Sequence, residues 1–531
     1  MKNKIKNVIM FLVLLISSIC IIGSLYYRIN YPNQEFEQIL YYLVNGVEHT
    51  ADSVVNNVIF SCIIPVVILF IILYVATFSN IKKRIIIKRK KKDSQIQIYP
   101  IKIIANHKAI YTLIVFIIAI IFVIFNFKIH TYIKNMVQNT EIYEQKYVDR
   151  RNISITFPEE KRNLIIIIAE SMENTVLSKQ SGGAWEYSII PELEKLAKEN
   201  TNFSHSENIG GALETHGTNF SAGGIVGMTA GIPLKTVDIL KDKNQYNGSG
   251  KFVDGAYSLG EILKEQGYNL EVMMGSEATF GGREQYFKTN GDYKVYDFNY
   301  AINIGKMTLK DKQWWGFEDD KLFKWSKEEI TELAKQDKPF NYIMITADTH
   351  FEDGYLSKNA EKKYDSQYEN VYAYSSKSIY EFVEWVKKQE FYENTTIVIL
   401  GDHLGMQTDF YEDIAGKEYA RTIYNVIINP AIEETNNKNR QFAIMDMYPT
   451  ILASIGAEIE GNRLGLGTNL YSGTQTLTEE LGYDYFNNEM KKYSTWYNEN
   501  ILGEDYHEMI KGDNKGSEVK DEENNNNNTS V

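Results

Sequence analysis

Apolar residues are distributed along this chain in two ways. Early on they form long unbroken runs; later they come as short runs separated by amphipathic stretches. Val8–Tyr26, Val54–Phe78 and Ile110–Phe127 are each apolar and long enough to cross a bilayer as a helix, which takes about 20 residues. Lys2, Lys4 and Lys6 precede the first run. Its length, and the lack of a small-residue cleavage site after it, favour a retained span over a signal peptide.

From Asn163 the pattern changes. Leu164–Ile168 is the isoleucine-rich kind of run that forms a strand buried on both faces, and similar runs recur at Leu270–Met274, Tyr342–Ile345, Thr396–Leu400 and Val426–Ile428. Helical segments lie between them: Pro191–Lys198, opened by a proline suited to a first helical position, then Leu259–Gln266, Ser376–Lys388 and Met447–Ile455. Strands alternating with helices predict an α/β domain, a mainly parallel sheet sandwiched by helices, preceded by an N-terminal helical membrane domain. The expected division is a membrane domain over 1–130 with spans at 8–26, 54–78 and 110–127, a polar stalk over 131–162 and the α/β domain over 163–473. A C-terminal extension (474–511) and a disordered tail (512–531, containing DEENNNNNTS) complete it.

Charge adds an orientation. The formal net charge of −13 argues against nucleic acid as a partner. The densest basic run, Lys82–Lys92, falls between the second and third spans, while Glu35, Glu37, Glu48 and Asp52 lie between the first two. Positive loops stay in the cytoplasm, which puts everything after Phe127 outside the cell. The expectation is a multi-pass protein of the cell membrane with an extracellular α/β domain. The two cysteines, Cys20 and Cys62, both sit in apolar runs. Any metal bound further along is therefore held by carboxylate, imidazole or hydroxyl groups.

The chemistry gathers around Gly217–Leu234, GTNFSAGGIVGMTAGIPL. A hydroxyl residue is followed by small residues and a short helical run that stops at Gly231-Ile-Pro233. That arrangement lets a phosphate approach a helix N-terminus. Glu170, Asp348-Thr-His350 and Gly401-Asp-His403 each follow a predicted buried strand. The carboxyl ends of such strands are where α/β sheets bind ligands. Glu170, Asp402, His403 and the Ser221 hydroxyl make a donor set suited to Mn²⁺ or Zn²⁺, and a bound metal activates a hydroxyl for attack on phosphorus. Each group also has a structural reading: Glu170 as a helix cap, Asp402 and His403 as turn residues, Asp348-Thr-His350 as a hydrogen-bonded turn.

In their order, Glu170-Ser, the hydroxyl loop ending in GIPL, Asp348-Thr-His350 and Gly401-Asp-His403 resemble the alkaline phosphatase/sulfatase superfamily. Within it the likeness is to the membrane-bound phosphoglycerol transferases, the group of phosphoglycerol transferase I and, more distantly, lipoteichoic acid synthase. MDMYPTILASIG (Met445–Gly456) and RLGLGTNL (Arg463–Leu470) look like later motifs of that group. The resemblance, over about Asn163–Leu470, implies that Glu170, Ser221, Asp402 and His403 bind a divalent metal, Mn²⁺ with Zn²⁺ and Mg²⁺ as alternatives. It makes Ser221 the nucleophile, with Thr218 as a rival, and gives His350 a substrate-binding and catalytic role. Arg283, in Phe280-Gly-Gly-Arg283, matches a headgroup-binding arginine, but Gly281 stands where lipoteichoic acid synthases have a tryptophan. The implied donor is phosphatidylglycerol and the implied acceptor a cell-surface glycan. Phosphoethanolamine transfer on the same fold, or a catalytically inactive glycan-binding or sensor domain, are the competing readings.

Overall fold

The computed structural model describes residues 2–31, 36–37, 39–40, 56–79, 85–88, 95–235, 252–416, 418–433 and 436–502. Most of the acidic first loop, most of the basic run Lys82–Lys92 and the tail expected over 512–531 lie outside these residues. Two compact units are present, the first built largely from residues up to Met136 and the second largely from Val137 onward.

In the first unit three helices are long and apolar enough to cross a membrane: Lys4–Asn30, Asn56–Phe78 and Lys108–Asn126. They meet at Leu14, Leu73 and Val115, and Ile68, Ile72 and Ile114 are exposed. Several hydroxyl residues fit this apolar environment by bonding to their own helix. Ser18 Oγ donates to the Leu14 carbonyl at 2.9 Å and Thr77 Oγ1 to that of Leu73 at 2.7 Å.

The second unit is organised on a six-stranded sheet: β1 (Asn163–Ala169), β2 (Asn269–Met274), β3 (Lys294–Tyr296), β4 (Phe340–Ile345), β5 (Thr395–Gly401) and β6 (Asn425–Ile428), in the order β3-β2-β4-β1-β5-β6. All neighbours run parallel except β5 and β6. β1 lies between β4 and β5, and every residue from Leu164 to Ala169 is wholly buried, as the uninterrupted apolar run requires. Ile165, Ile167 and Ala169 face a core shared with the helices Pro191–Glu199, Asp319–Leu333 and Gln367–Val386.

Several elements differ from the sequence expectation. β3 is too short to leave a periodic signal. The helix Asp319–Leu333 is densely charged, yet Leu322, Phe323, Ile330 and Leu333 fall on one buried side. The helix expected from Ser376 begins at Gln367, since Ser366 caps it and Tyr368, Val371, Tyr372 and Ser375 extend its buried stripe with partly polar residues. From Val137 the expected stalk is part of the second unit. Ile155–Thr156 pairs with Glu458–Ile459, and Tyr143, wholly buried, packs edge-on against Tyr497. The C-terminal extension folds back as well: Tyr497 donates its hydroxyl proton to the Pro233 carbonyl at 2.7 Å, which fixes the end of the GIPL segment.

Candidate metal centre and nucleophile

Three loops leaving β1, β4 and β5, together with the start of one helix, build the site. The helix is Ser221–Ala230, with Ser221 as its first residue. Leu234 N–H donates to the Gly217 carbonyl at 2.9 Å, so the Gly217–Leu234 segment is closed at both ends. Close packing on the far side depends on Gly224: a Cβ there would lie 2.1 Å from the Asp402 carbonyl oxygen. The helix start therefore rests directly on the backbone that carries Asp402.

Ser221 Oγ lies 3.2 Å from Glu170 Oε2 and 3.3 Å from His403 Nε2. His403 Nε2 is in turn 3.4 Å from Glu170 Oε1 and 3.4 Å from Asp402 Oδ2. Glu170, Asp402 and His403 are all buried and can present ligand atoms within 4.8 Å of one another. Each is held from behind. Asp402 Oδ1 accepts the N–H groups of Ser171 (2.8 Å) and His403 (3.0 Å), while Oδ2 is buried with no hydrogen-bond partner. His403 Nδ1 faces the Leu404 carbonyl at 2.8 Å and donates to it, while Nε2 faces the site. Ser171, at φ 55°, turns sharply after β1 and donates its hydroxyl to Glu170 Oε1 at 2.8 Å.

The electrostatics fit a cation. Burial alone would raise the Glu170 pKa, but the hydrogen bond and charge of His403 hold it well below the usual range. Burial and the Glu170 charge push Asp402 up to about 7. Burial opposes the charged form of His403, yet Asp402 and then Glu170 outweigh it and raise the pKa to about 10. Two carboxylates and a strongly basic imidazole thus face one small space. Their separations are close to the edge, about 3.3 Å, of a tetrahedron of donors about 2.0 Å from a central ion. Asp402 Oδ2 points to the same conclusion, because it makes no hydrogen bond even with His403 Nε2 3.4 Å away, and a buried carboxylate oxygen needs one.

Thr218 is wholly buried, and its hydroxyl is committed to the preceding turn, donating to the Thr215 carbonyl at 2.9 Å. In the Asp348-Thr-His350 turn, Thr349 Oγ1 donates to the Glu170 carbonyl at 2.6 Å, and Asp348 lies beside Asp319, whose carboxylate accepts the Ala347 and Asp348 N–H groups. Burial raises the pKa of Asp348 and lowers that of His350. His350 is close enough to Glu170, His403 and Arg283 to feel their charges. Arg283 is buried and aimed by the Phe280 carbonyl (2.9 Å), Ser276 Oγ (3.0 Å) and the Glu277 carbonyl (3.1 Å).

Gly281 takes φ 71°, a left-handed turn that a large side chain disfavours. An aromatic wall is present all the same, from a different segment. Trp315 packs against His350 with ring centroids 4.7 Å apart and against Phe280 at 5.3 Å. Its indole Nε1 is buried without a hydrogen-bond partner. In the sequence Trp314-Trp315 sits in a charged loop with no periodicity, and nothing there connects it to His350.

Compared with known proteins, residues 162–457 match the family described as Sulfatase. The chain belongs to the sulfatase family. It is 28% identical over 335 residues to phosphoglycerol transferase I of Escherichia coli O127:H6 (strain E2348/69 / EPEC), a match covering 61% of this chain and 41% of that protein. The chain thus spans well under two thirds of the curated relatives it matches. Among solved structures it is similar to the lipoteichoic acid synthase LtaP from Listeria monocytogenes (18% identity, 60% of this chain and 79% of that one, TM-score 0.47). It is also similar to the lipooligosaccharide phosphoethanolamine transferase A (EptA) from Neisseria meningitidis (11% identity, 85% of this chain and 84% of that one, TM-score 0.47).

Proposed function

We propose that this sulfatase-family protein is a membrane-anchored phosphotransferase that moves a phosphoglycerol unit from phosphatidylglycerol to a cell-surface glycan or polymer. The observation that carries the reading is the convergence of Ser221 Oγ with Glu170 and His403, at 3.2 and 3.3 Å, on the first residue of a buried helix. The resemblance to phosphoglycerol transferase I supports the headgroup. The three apolar helices supply the anchor that a lipid donor calls for.

Glu170, Asp402, His403 and Ser221 would hold a divalent cation, Mn²⁺ or Zn²⁺, whose chemistry is to acidify the serine hydroxyl and offset charge on the phosphate. Ser221 Oγ attacks phosphorus; the new O–P bond replaces the bond to diacylglycerol, which leaves carrying a proton. An acceptor hydroxyl then attacks the same phosphorus and frees Ser221. His350 Nδ1 is engaged by the Phe351 carbonyl at 2.6 Å, so Nε2 is the atom available to exchange a proton with the departing oxygen. Arg283 and the Trp315 ring flank His350 and are assigned to the headgroup. The α/β unit is assigned to the outer face of the membrane. An exterior-only reporter fused after Ile129 is expected to be active, and a working cytoplasm-only reporter there would reverse the orientation.

The test is to incubate the full-length protein in vesicles with headgroup-labelled phosphatidylglycerol and, separately, phosphatidylethanolamine. Release of diacylglycerol and label on Ser221 from the first lipid, both lost on chelation and in Ser221→Ala, is expected. Label from phosphatidylethanolamine alone would establish the phosphoethanolamine reading. Turnover of neither lipid by protein that retains bound metal would leave a binding module.

A further inference from the structure

The back of the His403 ring is tied to a largely buried ion pair that the reaction does not use. His403 Nδ1 meets the Leu404 carbonyl at 2.8 Å. The N–H of that same peptide group, on Gly405, donates to Glu173 Oε2 at 2.7 Å. Glu173 is wholly buried and grips Arg421 through both Nε, at 2.9 Å, and Nη2. Arg421 Nη2 also donates to the Gly405 carbonyl at 2.7 Å, so the pair holds Gly405 at both its N–H and its C=O. The guanidinium lies over the Tyr411 ring, 4.3 Å from its centroid. Tyr411 bonds to Tyr372, whose hydroxyl donates to the Ser171 carbonyl at 2.7 Å, next to Glu170. No side chain fits at Gly405, where a Cβ would sit 1.9 Å from the Tyr411 hydroxyl.

We propose that Glu173 and Arg421 are positioning residues for the metal centre, acting on His403 through the Leu404–Gly405 peptide group. The proposal rests on the reading of Glu170, Asp402 and His403 as metal ligands. A carboxylate on the peptide N–H draws electron density toward the carbonyl oxygen. That oxygen then accepts more strongly from His403 Nδ1–H, which orients the ring and makes Nε2 a better donor. Arg421 holds the carboxylate in place with a two-pronged grip that lysine cannot reproduce. Stability alone gives little reason for such a pair, since two buried charges are often replaced by neutral groups at no net cost.

Full-length protein in detergent is stripped of metal, and Zn²⁺ affinity is measured by competition with a chromophoric chelator. Thermal midpoints of the metal-free proteins are recorded alongside. The double variant Glu173→Gln/Arg421→Gln removes both charges and leaves an amide oxygen for Gly405 N–H. It is expected to bind Zn²⁺ about 10- to 100-fold more weakly. The matched control is Glu479→Gln/Arg440→Gln, a comparable pair with Nε–Oε1 at 2.7 Å that touches no candidate ligand. The control should keep the parent affinity with a similar drop in metal-free midpoint. Equal losses of affinity in both double variants, or affinity within about twofold of the parent in Glu173→Gln/Arg421→Gln, would overturn the proposal. If that variant does not fold, Arg421→Lys decides: it keeps the charge but not the fork and must bind Zn²⁺ measurably more weakly than the parent. A parent that binds no better than Asp402→Ala would instead refute the metal centre itself.

Discussion

Gly224→Ala tests the contact that sets the position of Ser221, the proposed nucleophile. The added methyl would meet the Asp402 carbonyl oxygen at 2.1 Å and its carbonyl carbon at 2.8 Å. Ordinary van der Waals separation is about 3.4 Å or more, so helix and loop must part by about 1 Å. Gly224 lies within a regular helix, so alanine adds no backbone strain and gains about 1 kcal/mol in helix propensity. Overpacking costs about 1–3 kcal/mol, which leaves a net destabilisation of up to about 2 kcal/mol. Catalysis suffers more, because the displacement acts directly on the separation of Ser221 from the Asp402 and His403 loop. A shift of about 1 Å at a reacting group is worth about 10²-fold in rate, or about 2.7 kcal/mol. The assay is diacylglycerol release from the proposed donor, phosphatidylglycerol, in vesicles, with the thermal midpoint measured in parallel. Gly227→Ala serves as comparison: its methyl would meet only side-chain carbons, of Ile444 at 2.9 Å and Thr218 at 3.1 Å, which can give way. Gly224→Ala within about threefold of the parent rate, or no slower than Gly227→Ala, would refute the packing argument.

Thr218→Ala should lose about 1 kcal/mol of stability with its bond to the Thr215 carbonyl yet retain donor cleavage, whereas Ser221→Ala should lose at least about 10³-fold; intact-mass peptide mapping of a trapped intermediate checks which hydroxyl is labelled. Trp315→Ala should raise KM for the donor about tenfold and leave kcat within about threefold, as expected for an aromatic wall beside His350; steady-state kinetics decide. Glu194 accepts hydrogen bonds from Ser181 and Lys198, both at 2.6 Å; burial opposes its charge, but these donors bring its pKa down to about 2. A carboxylate with a depressed folded-state pKa stabilises above its unfolded value of about 4.5 and loses that contribution as pH falls toward 2. Urea midpoints should therefore show Glu194→Gln less stable than the parent at pH 7, with the gap narrowing between pH 4.5 and 3.

How far the sequence carries can be followed residue by residue. β1, β4 and β5 are legible because a strand buried on both faces must be apolar throughout. Glu170, Asp402 and His403 are legible because a charged residue directly after such a strand lies at a sheet end, where ligands bind. Those are local rules, each read within a few positions. The helix Asp319–Leu333 escapes them because its charges mask a buried stripe. The docking of 137–162 escapes them too, since Ile155 finds its partner only at Ile459. Trp315 reaches His350 through a loop without periodicity. Glu173 and Arg421, 248 positions apart, become a pair only once β1 and β5 lie side by side. Local patterning along the chain marks which segments are apolar enough to be strands or spans, and which reactive groups follow them. Tertiary structure alone decided which of those groups meet, because hydrogen bonds and ion pairs act over a few ångströms in space whatever the distance along the chain.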